Sequence, residues 1–114
     1  MDHVNLYIPV AKVLVGDNFT ADVQFIDEAS FDPSAPSTVE FRIDCLTNGQ
    51  QVLTWTTVTP GASVAIAVSS AYNTIITAAN QSEVKQITVT GDRGLSFQCS
   101  AQKRWIVQNL NLGS

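Results

Sequence analysis

Thr38–Val58, TVEFRIDCLTNGQQVLTWTTV, decides the fold class. Its first half alternates. Val39, Phe41, Ile43 and Cys45 fall on one side of an extended chain, and Glu40, Arg42 and Asp44 fall on the other. A pleated strand sends successive side chains to opposite faces, so this period of two predicts a strand with one face on a core. Asn48-Gly49 tolerates the positive φ values of a type I′ turn and predicts a tight hairpin. The return, Gln51–Val58, is rich in β-branched residues and carries Trp55, whose expected place is the core.

Working outward toward the N-terminus, Phe19, Ala21, Val23 and Phe25 alternate with Thr20, Asp22 and Gln24, a second strand of the same kind. Gly16-Asp17-Asn18 before it reads as a turn. Further upstream, Asn5 to Val15 is apolar but broken by Pro9. Proline lacks the amide donor of a ladder, so Leu6, Ile8, Pro9 and Val10 are expected on a kinked edge strand. A first strand that switches between two sheets would satisfy this pattern. Between the two strands lies Asp27–Ser37, with acids, serines and Pro33 and Pro36. It is a long loop for so short a chain, and such loops are functional or mobile. Phe31 sits inside it and is a contact candidate if its ring stands at the tip.

Working outward the other way, Thr59-Pro60-Gly61 breaks the hairpin, and Val64, Ile66 and Val68 alternate with alanines. Ser69–Ser82 is expected to be irregular, with a short strand near Ile75-Ile76. Glu83–Thr90 reads as a strand with Ile87 and Val89 inside, and Gly91–Gly94 as a turn. Leu95–Leu110 reads as a long last strand in which Leu95, Phe97, Cys99 and Ala101 point inward. Lys103 upsets that phase, so a bulge is expected near Gln102–Arg104. Asn111–Ser114 is expected to be a tail. These elements amount to an all-β sandwich of about seven to eight short strands, without an amphipathic helix.

The chain has 114 residues, enough for a single domain over 1–114 with a short N-terminal arm. Charged residues make up 14%, against roughly 25% in typical soluble domains, and Thr, Ser, Asn and Gln take their place. Net charge is −4, and Lys103-Arg104 is the only adjacent basic pair, which disfavours nucleic acid and anionic membranes as partners. No apolar run approaches the ~20 residues of a spanning helix. The N-terminal residues lack the basic start of a secretory leader, so synthesis in a cytoplasm is expected.

Catalytic and metal chemistry finds little purchase. His3 is the sole histidine and lies at the terminus, so a Ser-His-Asp or Cys-His site has no ready base. Cys45 and Cys99 do not form a CxxC pair. Both sit in phase with apolar neighbours and are expected to be buried, inert thiols rather than a disulfide. Asp27, Glu28 and Asp32 contain the oxygens calcium takes, but acids in a loop ordinarily keep it solvated. Asn18-Phe19-Thr20 and Asn80-Gln81-Ser82 match the glycosylation pattern, which has no meaning without secretion. Trp105, near the end of the last strand, reads equally as core or as an open ring for stacking, and Tyr72 is a further contact candidate.

The strand count and alternation over about residues 4–110 resemble an immunoglobulin-like or fibronectin type III-like sandwich. The antibody spacing of Cys, Trp and Cys is absent, because Cys45 precedes Trp55 and Cys99 lies on the last strand. TVEFRIDCLTNGQQVLTWTTVTPGASVAIAV followed by EVKQITVTGDRGLSFQCSAQKRWIVQNL resembles the small modules of bacteriophage virions, which decorate capsids or serve necks, tails and fibres. That resemblance implies a non-enzymatic structural protein of a virion, partnered by other virion proteins or copies of itself in a large assembly. No cofactor, metal, nucleic acid, membrane insertion or small-molecule ligand is expected. The alternative is a carbohydrate- or cell-surface-binding module outside the cell, with Phe31, Tyr72 and Trp105 as the stacking residues.

Overall fold

Strands form where apolar residues recur at every second position, and they stop at glycine, proline or short polar runs. The structure, a computed structural model, describes residues 2–109. Eight strands run through them: β1 (Asp2–Tyr7), β2 (Lys12–Leu14), β3 (Phe19–Asp27), β4 (Val39–Cys45), β5 (Gln50–Val58), β6 (Ser63–Val68), β7 (Ser82–Gly91) and β8 (Cys99–Gln108). They build a three-stranded sheet, β1-β3-β6, facing a five-stranded sheet, β2-β8-β7-β4-β5. All pairs are antiparallel except β2 with β8. The expected tail, Asn111–Ser114, and Leu110 lie outside the described residues.

The core lies between the sheets. Ala21, Val23 and Phe25 of β3 meet Val39 and Ile43 of β4 and Ile87 and Val89 of β7, all fully enclosed. The first strand does switch sheets. β1 pairs with β3, the chain crosses at Ile8–Ala11, and β2 pairs with β8 on the other sheet. Leu6 is therefore a core residue at the end of β1, and Ile8, Pro9 and Val10 stand in the crossover rather than on the expected edge strand. Proline suits that place because the crossover asks no ladder donor of it.

Three local expectations fail, each for a tertiary reason. The hairpin is wider than Asn48-Gly49 alone predicts: Cys45 pairs with Gln50, so Leu46–Gly49 form a four-residue loop in which Gly49 alone has positive φ, 68°. Leu46 and Thr47 leave the hairpin because β7 claims them. The Leu46 amide donates to Val84 O (2.8 Å), and the Val84 amide donates to Thr47 Oγ1 (2.8 Å). The irregularity in sheet pairing falls in the β4–β5 ladder, between Phe41 and Asp44. β7 and β8 stay in unbroken register from Gly91–Cys99 to Ser82–Gln108, so no bulge occurs at Gln102–Arg104. Lys103 keeps the inward phase but reaches solvent beside the crossover, where Ile8–Ala11 leave a cleft. Finally, Ser69–Gln81 holds no strand, only a 3-10 turn at Ser70–Tyr72.

Candidate functional site

Three connections gather at one end of the sandwich. β3 ends there at Asp27, β5 at Val58 and β7 at Gly91, and β4, β6 and β8 begin there. The β3–β4 loop is knotted on Asp27. Its Oδ1 accepts the amides of Ala29 (2.8 Å) and Ser30 (3.3 Å), and its carbonyl accepts the amide of Phe31 (2.7 Å). Those backbone bonds hold the Asp27 carboxyl below its ordinary range. The Asp27 amide donates across the knot to Asp32 O (2.9 Å). Closing so tight a turn puts Phe31 at φ 61°, a conformation bulky residues seldom adopt, and leaves its ring 76% exposed.

Asp92 ties this loop to its neighbour. Its Oδ1 accepts the amides of Ser37 (2.9 Å) and Thr38 (3.2 Å), and its own amide donates to Thr38 O (2.9 Å). Asp92 is buried with φ 52°, so two strained backbone positions fall in the two loops of one end. The β7–β8 loop then closes through Leu95 N to Asp92 O (3.1 Å) and Gly94 N to Gln98 Oε1 (2.8 Å). Leu95 is left 49% and Phe97 50% exposed. Both were expected inside the last strand, but β8 begins only at Cys99, and the loop turns them outward.

Trp105 takes the core place that was one of its two readings, and Trp55 does not take the core place expected of it. Trp105 is 1% exposed, edge-on to Phe19 at 5.2 Å between ring centres, and its Nε1 donates to Asn73 Oδ1 (2.7 Å). It is closed to any ligand, which corrects its candidacy as a stacking residue. Trp55 is half-buried on the outer face of the five-stranded sheet rather than in the core. The guanidinium carbons of Arg93 and Arg42 stand over its ring at 4.7 and 5.7 Å. Each arginine is also paired, Arg93 with Glu40 (2.9 Å) and Arg42 with Asp44 (2.7 Å). Tyr72 is half-buried against the core at the opposite end from Phe31, so the expected contact residues are not brought together. Cys45 and Cys99 are buried thiols without a disulfide.

The most polar buried constellation went unread in the sequence. Glu83 and Lys85 face inward on β7, each with no exposed side-chain surface, and pair at 3.2 Å. Glu83 Oε1 also accepts the Ile76 amide (2.7 Å) and the Cys45 thiol (3.7 Å), and Oε2 accepts the Thr77 amide (2.9 Å) and Asn80 Nδ2 (3.1 Å). Burial would raise this carboxyl, but the Ile76 and Thr77 amides, Asn80 and Lys85 overcome it and bring it down to about 2. A carboxylate so saturated with donors anchors the Ile76–Asn80 segment and has no lone pair left for proton transfer. The signal was there: Glu83 and Lys85 share the phase of Ile87 and Val89. Among the described residues no group of three or more His, Cys, Asp and Glu is placed to hold a metal. Of the loop acids Asp27, Glu28 and Asp32, Asp27 is committed to its turn.

No family model and no curated protein matches the chain. Among solved structures it is similar to a conjugative transposon lipoprotein from Bacteroides eggerthii, with TM-score 0.45 and 11% identity, over 91% of this chain and 95% of that one. The resemblance to bacteriophage virion modules is corrected here, since no virion family model matches the chain. The physical reason is plain. Threonine- and valine-rich strands, a glycine turn and a proline break are what any antiparallel sandwich requires, so they do not mark a lineage.

Proposed function

We propose that this chain is a non-enzymatic, immunoglobulin-like binding module that docks onto a protein surface through its loop end. The observation that carries it is the outward display of Phe31, Leu95 and Phe97 on two loops locked together by Asp92. Apolar rings on a strained, tethered loop are costly unless they are covered in use, and aromatic anchors dominate protein interfaces. The immunoglobulin-like assignment is supported by strand order. A split first strand, one sheet of β1-β3-β6 and another of β2-β8-β7-β4-β5 fit that architecture. Sugar stacking has less support, because Trp105 is enclosed, Tyr72 is half-buried and Trp55 already lies under two arginines.

The test is sedimentation of the tagged chain in lysate of its source cell. Wild type is expected to run with a large assembly. The combined Phe31→Ser, Leu95→Ser and Phe97→Ser variant is expected to run free, with Tm preserved because exposed positions contribute within about 0.5 kcal/mol. Wild type running free, or the folded variant still sedimenting with the assembly, overturns the proposal.

A further inference from the structure

The two sheets are unequal, and the mismatch falls on one side. β1 packs against β8, and Gly91 of β7 abuts Phe25 of β3. That leaves β6 above β4, and β5 with no strand above it. The inner side of β5 is accordingly open: none of its residues is buried, and Leu53 and Val58 are covered only in part. Between the edges of β5 and β6 runs a groove of about 570 Å³, lined by Thr57–Pro60 and Ser63–Ala65.

The edge of β6 is unusually bare. The Phe25 amide donates to Ala62 O (2.8 Å), and the register pairs Val23 with Val64 and Ala21 with Ile66. Hydrogen-bonded pairs alternate along an antiparallel ladder, so Val64, Ile66 and Val68 spend their backbone groups on β3. Ser63, Ala65 and Ala67 therefore turn their N–H and C=O groups away from β3, and Ser63 and Ala65 line the groove. Natural edges are blunted by charge, proline or a bulge. Here Leu46–Ser82, which includes both β5 and β6, contains no Asp, Glu, Lys, Arg or His, and β6 has neither proline nor a register break.

We infer that this edge takes an extended, uncharged peptide strand from a partner protein, with apolar side chains at alternate positions. The strand adds to β6 through Ser63, Ala65 and Ala67 and lays its apolar face on Leu53 and Val58 of β5, completing the short sheet. Neutrality of both walls selects an uncharged segment, because a charge would be desolvated without a counter-charge. The described ends of the chain lie on β1 and β8, on the far side of the sandwich from this edge. A second copy pairing β6 with β6 is disfavoured sterically: each copy's overhanging β5 would fall where the other's β4 already lies. The groove opens at the same end of the sandwich as the loops, but none of its lining residues is Phe31, Leu95 or Phe97.

The probe is a fluorescent, capped nine-residue peptide of alternating valine and threonine. Binding at about 100 µM or tighter is expected. In hydrogen exchange, the Ala65 and Ala67 amides are fast in the protein alone and slow at least tenfold on saturation, while Val64 and Ile66 are protected throughout. Ala65→Pro removes a donor that β3 does not use, so it is expected to keep the fold and weaken binding at least tenfold. No binding at about 1 mM, or binding that leaves the Ala65 and Ala67 amides unchanged, overturns the inference. So does a wild-type dimer that Ala65→Pro dissolves. The exchange measurement decides the matter even if the proline variant fails to fold. Loss of assembly binding in the loop-end variant leaves this result untouched, so the two proposals fail separately.

Discussion

At Glu83, five donors converge on one carboxylate that water does not reach. Its ordinary value is 4.5, and the fold lowers it to about 2. Between those values the unfolded chain binds the extra proton, so stability rises with pH there. The contribution, about 3 kcal/mol, is complete above pH 4.5 and is lost as pH falls toward 2. Urea unfolding between pH 5 and pH 2 should show that decline, and Glu83→Gln should flatten it. At pH 7 Glu83→Gln should cost about 3–5 kcal/mol, because Lys85 is left buried without its counter-charge. Lys85→Met should cost less, about 1–2 kcal/mol, because the Ile76 and Thr77 amides, Asn80 and the Cys45 thiol still serve the carboxylate. Equal costs would mean the carboxylate matters only as half of an ion pair.

Among the described glycines, Gly91 of β7 has the nearest neighbours around its Cβ position. A Cβ on Gly91 would meet Phe25 Cε1 at 3.0 Å, and Cys99 Sγ and Pro36 Cβ at 3.1 Å each. All three belong to packed neighbours from β3, β8 and the β3–β4 loop. Gly91→Ala should therefore destabilise by about 1–3 kcal/mol through overpacking, read as a lower urea midpoint at constant m-value. The inner phases of β3, β4, β6 and β7 were legible because each strand obeys its own period. The extent of β8 was not. Leu95 and Phe97 share the phase of Cys99, and only the Asp92 tether to Thr38 and the Gly94 turn decide that the chain there is a loop. The site was legible in the same partial way. Phe31 could be singled out as a lone aromatic in a polar loop, whereas Leu95 and Phe97 looked like core.

Over the whole molecule, one core joins both sheets and the long connection between β6 and β7. Trp105 touches each part: it lies on β8, packs on Phe19 of β3, and holds Asn73, whose Nδ2 donates to Asp17 O at 2.7 Å. A unit so cross-linked should unfold in one step. In a Trp55→Phe background, Trp105 fluorescence and backbone circular dichroism should be lost at the same urea concentration. Separate midpoints would mean that the Ser69–Gln81 connection melts by itself.

Alternation, proline and glycine were enough to determine an all-β sandwich and the inner faces of its main strands, and they suggested a sheet-switching first strand, because a pleated strand reports its own inner face residue by residue. Tertiary structure alone decided which tryptophan is enclosed, which loop residues face solvent, and where the hairpin closes. Those outcomes turn on partners far away in the chain: Val84 drawing Leu46 and Thr47 from their turn, Asn73 receiving Trp105, and Asp92 binding Ser37 and Thr38. A period of two says which side of a strand is apolar. It does not say whether a second sheet lies above that side, and for β5 none does.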